Sequence, residues 1–121
     1  MGEVSVTDRT EGPVTVVTLD GELDSASSPA VQERLTELVQ PDTRVLLDLS
    51  AVPYMSSAGL RTMLLLYRNA QSVDTSVGLV GVAPELKKMM EATGFLGFFT
   101  LHDSVEDGLA TAAEKAGGSR S

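Results

Sequence analysis

Residues 45–60 read Val45-Leu-Leu-Asp-Leu-Ser-Ala-Val-Pro-Tyr-Met-Ser-Ser-Ala-Gly-Leu60, and the fold turns on how this stretch divides. Val45-Leu-Leu-Asp-Leu49 is a nearly continuous apolar run of strand length, the pattern of a strand buried on both faces of a parallel sheet. Residues 50–56 form a connection. From Ser57 the run gives way to a helical stripe, with Leu60, Met63, Leu64 and Tyr67 at i, i+3, i+4 and i+7. Strand, short turn and helix in that order make half of a β-α-β crossover, so a parallel α/β layer is expected.

The same alternation continues on both sides. Downstream, Val77-Gly-Leu-Val-Gly-Val82 is a second strand of the buried type. Pro84-Glu85 opens a helix carrying Leu86, Met89 and Met90 as core residues, and Gly94 suits its C-terminal cap. Phe98-Phe-Thr-Leu101 is a short strand. Ser104, with Asp107 three residues on, makes a capping box for a last helix whose apolar face is Val105, Leu109, Ala112 and Ala113. Upstream, Val4–Thr7 and Val14–Leu19 flank the turn signal Glu11-Gly12-Pro13, which predicts a hairpin. Gly21 and the polar loop Glu22–Ser27 follow. Ser28 reads as an N-cap with Pro29 as first helical residue, ahead of Val31, Leu35, Leu38 and Val39 on one face and a stop at Pro41-Asp42. The expected order is β-β-α-β-α-β-α-β-α: a single-layer, mostly parallel β-sheet with an N-terminal hairpin and about four helices. One domain over residues 4–116 and a disordered tail, 117–121, complete the division.

Composition narrows the chemistry. The chain has 121 residues, enough to bury about two-thirds of its surface without staples. It has no cysteine and one histidine, which excludes a disulfide framework, a thiolate or multi-histidine metal site and a cysteine nucleophile. Its net charge is −8, against the basic face that direct nucleic-acid binding needs. No cofactor fingerprint is present, neither a P-loop nor Gly-x-Gly-x-x-Gly. The N-terminus lacks a signal pattern, and the longest apolar stretch, Met63–Tyr67, is far short of the ~20 residues of a membrane span. A cytoplasmic protein without membrane insertion is expected.

Sites in open α/β sheets form beyond the carboxyl ends of the strands. Two segments lie there: Asp20–Ser27, and Val52–Leu60. In the second, Ser56 and Ser57 sit at a strand-to-helix turn, where unpaired N–H groups and the positive end of the helix dipole favour either a capping hydroxyl or a phosphate. Ser57 is therefore either an N-cap or a modification site, and Gly59 permits close backbone approach. Asp24 either holds a turn or lies on the rim of a contact surface beside Ser25. Leu60, Met63 and Tyr67 read as core, whereas Arg61, Thr62 and Asn69 face elsewhere. A hydrolase reading fails because Met55 stands where a nucleophile elbow needs glycine, and His102 is the sole imidazole. A phosphate-receiver reading fails because Asp48 lies inside its apolar run and no acidic pair precedes it in a strand.

Asp48-Leu-Ser-Ala-Val-Pro-Tyr-Met-Ser-Ser-Ala-Gly-Leu60 resembles the signature of STAS domains, and within them the free-standing anti-sigma factor antagonists. Gly21-Glu-Leu-Asp24 resembles that family's Gly-x-Leu-Asp motif, and Gly94-Phe-Leu with Phe98 and Phe99 resembles its third-helix exit. The resemblance spans about Val4 to Ala113. It implies a regulatory serine at Ser57, the phosphoacceptor, with a partner surface formed by Asp24, Ser25, Ser56, Ser57, Ala58, Gly59 and Arg61. The position before the serine, often Asp in the family, is Ser56; the one after, often Ser or Thr, is Ala58. The implied function is partner switching in bacterial stress-response transcription. The unmodified protein binds an anti-sigma factor, a serine kinase, and frees the sigma factor. Phosphorylation ends binding, and a metal-dependent serine phosphatase resets the protein. The resemblance implies no catalytic residue, metal or cofactor. The alternative it leaves is a non-phosphorylated STAS scaffold or accessory subunit of a signalling or transporter complex.

Overall fold

A computed structural model describes residues 4–94 and 96–118, the backbone alone for 96 and 112–118. Five strands form one sheet: β1 (Ser5–Glu11), β2 (Val14–Asp20), β3 (Arg44–Ala51), β4 (Val77–Val80) and β5 (Thr100–His102). Their spatial order is β1-β2-β3-β4-β5, with β1 antiparallel to β2 and the remaining pairs parallel. The four helices are α1 (Ser28–Leu38), α2 (Ser57–Ser72), α3 (Pro84–Thr93) and α4 (Val105–Gly118). This is the expected mostly parallel sheet with an N-terminal hairpin.

Because the strands are laid down in one direction, three crossovers of the same hand must bring α1, α2 and α3 to the same face. They do. Val31 and Leu35 of α1, Met63 and Leu66 of α2, and Leu86 and Met90 of α3 join one core with Val17, Leu19, Leu47, Leu49 and Leu79 of the sheet. α4 follows the last strand and is free to cover the other face. There Val105 and Leu109 pack on Val14, Val16, Leu46 and Val80. Strand alternation explains the division: odd-numbered residues of β2 and β3 meet three helices, even-numbered ones meet one. Close approach of α4 depends on Gly108, where a Cβ would stand 2.7 Å from Leu46 Cδ1.

Several boundaries differ from the sequence reading. β1 extends to Glu11, paired along its length with β2, which satisfies the backbone groups on its inner edge although its side chains are mostly exposed. The two-residue loop between them carries Gly12 at φ +62°, as a first loop position with positive φ requires. β5 begins at Thr100. Phe98 instead belongs to a 3₁₀ turn, Leu96–Phe98, where its ring stacks on Tyr67 at 4.8 Å. Tyr67 is half-buried, as is Met89, whereas Leu60, Met63 and Met90 are buried. α1 starts at Ser28 itself, so its N-cap is Ser27 and Pro29 is the second helical residue. Gly94 ends α3 at φ +80°, as expected. Ser104 Oγ accepts from Asp107 N–H at 3.1 Å, also as expected. α4 continues through Gly118, past the point where the tail was placed; residues 119–121, and Phe95 of the third-helix exit, lie outside the described residues, as do the side chains of Ala112 and Ala113.

Candidate functional site

The two segments singled out by sequence meet beyond the carboxyl ends of β2 and β3. Leu23 N–H donates to Tyr54 O at 3.1 Å, and Ser56 N–H donates to Leu23 O at 2.8 Å. These bonds make a lone parallel bridge between Leu23 and Met55. Gly21 N–H adds a bond to Ala51 O at 3.1 Å. Both bridge residues are buried, anchoring the two connections to the core. Sequence reasoning missed this pair. Its signal was Leu23, the one large apolar residue in the polar loop Glu22–Ser27.

Gly59 makes the junction possible. A Cβ there would lie 2.5 Å from Met55 Cγ and 2.8 Å from Leu23 O. Gly59 is buried, so it serves the packing of the turn and presents no surface of its own.

The bridge also decides which serine begins α2. Ser56 is held extended (φ −80°, ψ 178°) and is the N-cap, its hydroxyl accepting from Gly59 N–H at 3.4 Å. Ser57 is the first helical residue and is exposed. The N-cap reading of Ser57 is thus overturned: Ser56 already fills that role. Ala58 is half-buried and Arg61 exposed. Thr62, expected to face outward, is buried at 2% exposure because α1 packs beside α2, and its hydroxyl bonds back to Ala58 O at 3.2 Å. Asn69 also turns toward α1, donating to Thr36 Oγ1 at 3.3 Å.

On the other strand of the junction, Asp24 organises the turn into α1. Its Oδ1 accepts from Ala26 N–H and Ser27 N–H, each at 3.0 Å, and from Ser27 Oγ–H at 3.2 Å. Ser27 Oγ–H also lies 2.9 Å from Glu22 O, and Asp24 N–H donates to Ser27 Oγ at 3.0 Å. The Ser27 N–H bond, more than partial burial opposes it, holds the Asp24 carboxyl below its usual range. Asp24 therefore holds a turn. Ser25, next to it, is exposed.

With strand order running one way, the sheet has no reversal point and no ligand crevice of the kind that reversal opens. Open hollows occur instead. Ser25, Ser28, Pro29, Gln32, Ala58, Arg61 and Thr62 line one; Pro53, Tyr54, Met55, Glu85, Leu86 and Met89 line another. Tyr54 is 53% exposed at the second. An open surface with one exposed aromatic ring suits a protein partner better than a small molecule. His102 lies on β5, bonded to Thr100 Oγ1 at 3.1 Å and two strands from β3. Among the described residues no cluster of three or more His, Asp or Glu is arranged to hold a metal ion.

Comparison with known proteins settles the family. The STAS domain profile matches residues 5–108. The chain belongs to the STAS domain family. A Bordetella bronchiseptica STAS relative, BtrV, provisionally assigned as an anti-sigma factor antagonist, is 32% identical over 100 residues, covering 82% of this chain and 85% of its own. The anti-sigma-F factor antagonist RsfB of Mycobacterium tuberculosis is 29% identical over 109 residues, covering 84% and 87%. The crystal structure of an anti-sigma factor antagonist from Mycobacterium paratuberculosis superposes with a TM-score of 0.80 at 25% identity, covering 91% of this STAS chain and 94% of that one. No helix among the described residues is long and apolar enough to cross a membrane.

Proposed function

We propose that this STAS protein is an anti-sigma factor antagonist that works by partner switching, with Ser57 as its phosphoacceptor. The observation that carries the reading is the division of labour at the start of α2. Ser56 caps the helix, which leaves the Ser57 hydroxyl exposed beside the loop of Asp24 and Ser25. The names of the STAS relatives support the partner class. Ser56 in place of the family's frequent Asp is compatible with it, since Ser and Asp cap helices about equally well.

The unmodified surface binds an anti-sigma factor that is also a serine kinase, which releases the sigma factor for transcription. Phosphorylation of Ser57 adds about −1.5 to −2 charges and a strongly hydrated group to a contact that must be desolvated. A loss of ~3 kcal/mol weakens binding more than a hundredfold, so a change of surface suffices without refolding. A metal-dependent serine phosphatase removes the phosphate. The protein itself acts as a binding partner in the bacterial cytoplasm, with neither catalytic residue nor cofactor.

The test is to incubate the protein with ATP and the serine-kinase anti-sigma factor encoded in the same genome. A gain of about 80 Da, one phosphoryl group, that maps to Ser57 and is absent from Ser57→Ala supports the reading. Stable binding with no modification favours the scaffold role instead.

A further inference from the structure

We propose that Arg61 captures the phosphate of phosphorylated Ser57, so that phosphorylation both adds an anion and withdraws a cation from the partner surface. This rests on the reading of Ser57 as phosphoacceptor. Ser57 is the first residue of α2 and Arg61 lies four residues on, both exposed. On a helix of about 100° per residue the two project about 40° apart, one turn above the other, the spacing at which side chains of opposite charge pair.

Three further observations favour the pairing. Among the described residues, Arg9 pairs with Glu11, and Arg34 with Asp8 and Glu37, whereas Arg61 has no ion pair. Its guanidinium fork, which matches a phosphate in two-pronged geometry, is uncommitted. The first turn of α2 carries no acidic residue, so the positive end of its dipole is met by the Ser56 hydroxyl and by no charge. Finally, Arg61 lines an open hollow together with Ser28 and with Ala58, the chain neighbour of Ser57. Ser28 is buried there, and its hydroxyl is the one buried side-chain polar atom without a partner among the described residues. The lining of that hollow thus combines an unpartnered hydroxyl with an arginine that has no ion pair.

The pairing bears on regulation. In the unmodified protein Arg61 is available to a carboxylate of the partner. In the phosphorylated protein an internal phosphate, fixed one turn away, competes for it at high effective concentration.

The test uses the full chain with phosphoserine installed at position 57 during translation, which needs no kinase. The phosphate is titrated by its phosphorus NMR shift. The second ionisation is expected at least about 0.3 pH units lower in the otherwise wild-type protein than in Arg61→Gln. The gap should narrow in about 0.5 M salt, and Arg61→Lys should fall between the two. Arg61→Glu should raise the ionisation above that of Arg61→Gln. Identical titrations in all four proteins overturn the proposal. Absence of kinase labelling at Ser57 would instead overturn the phosphoacceptor reading and leave this titration unchanged.

Discussion

Leu23 bonds through its backbone to Tyr54 and Ser56, the two neighbours of Met55, and the parallel bridge so formed between Leu23 and Met55 places the Asp24 loop against the first turn of α2. Local stability and the proposed partner surface thereby draw on the same few residues. Substitutions can separate them.

Gly59→Ala should disrupt the junction. Alanine normally favours a helix interior by roughly 0.5–1 kcal/mol over glycine. Here the new methyl meets Met55 Cγ and the carbonyl of Leu23, so a net loss of about 1–3 kcal/mol is expected in urea unfolding. A variant as stable as wild type would mean that the loops part easily.

Ser56→Ala and Ser57→Ala should behave oppositely. Losing the Ser56 cap should cost about 0.5–1 kcal/mol, at the low end for such caps because the bond to Gly59 N–H is long at 3.4 Å. Ser56→Asp should restore the loss. Ser57→Ala should change stability by less than about 0.5 kcal/mol, as is usual for an exposed side chain, while abolishing phosphorylation. Equal destabilisation by both alanines would contradict the assignment of the cap.

Ser57→Asp should leave the melting temperature close to wild type and weaken binding to the anti-sigma factor. Isothermal titration should show at least a tenfold rise in Kd, about 1.4 kcal/mol. Equal affinity for the two proteins would refute the electrostatic account of the switch.

Asp24→Ala should lower the melting temperature at neutral pH, since the Ala26 and Ser27 N–H groups lose their acceptor. The folded-state pKa of Asp24 is lowered, so its contribution is fully present above the ordinary aspartate value of about 3.9 and fades as pH falls through the lower folded value. Melting curves of wild type and variant should therefore converge on acidification below about pH 4. A constant gap down to pH 2 would show that the carboxylate charge contributes nothing.

The order of elements was legible because each is written locally: β-branched or aliphatic runs for β2, β3 and β4, helical stripes for α1 to α3, Ser104 with Asp107 at the start of α4. The serine-bearing turn ahead of α2 was legible as a strand-to-helix connection too, since its residues are contiguous. The sequence was less informative wherever burial depends on a second neighbour. The stripe Leu60, Met63, Tyr67 marks the face of α2 that meets the sheet. It says nothing of α1, whose packing alongside buries Thr62 and turns Asn69 inward. Phe98 and Phe99 read as a strand from their β propensity, but contacts with Tyr67 hold both rings outside one.

By itself, then, the sequence determined the succession of strands and helices, the absence of thiol chemistry and of a multi-histidine metal site, and the place where a hydroxyl meets a helix start. Which of two adjacent serines caps that helix, and which stays exposed, was decided only in three dimensions. The Leu23–Met55 bridge holds Ser56 extended and so fixes where α2 begins. Both serines have nearly the same local propensity, and the hydrogen bonds that distinguish them come from a loop more than thirty residues away in the chain.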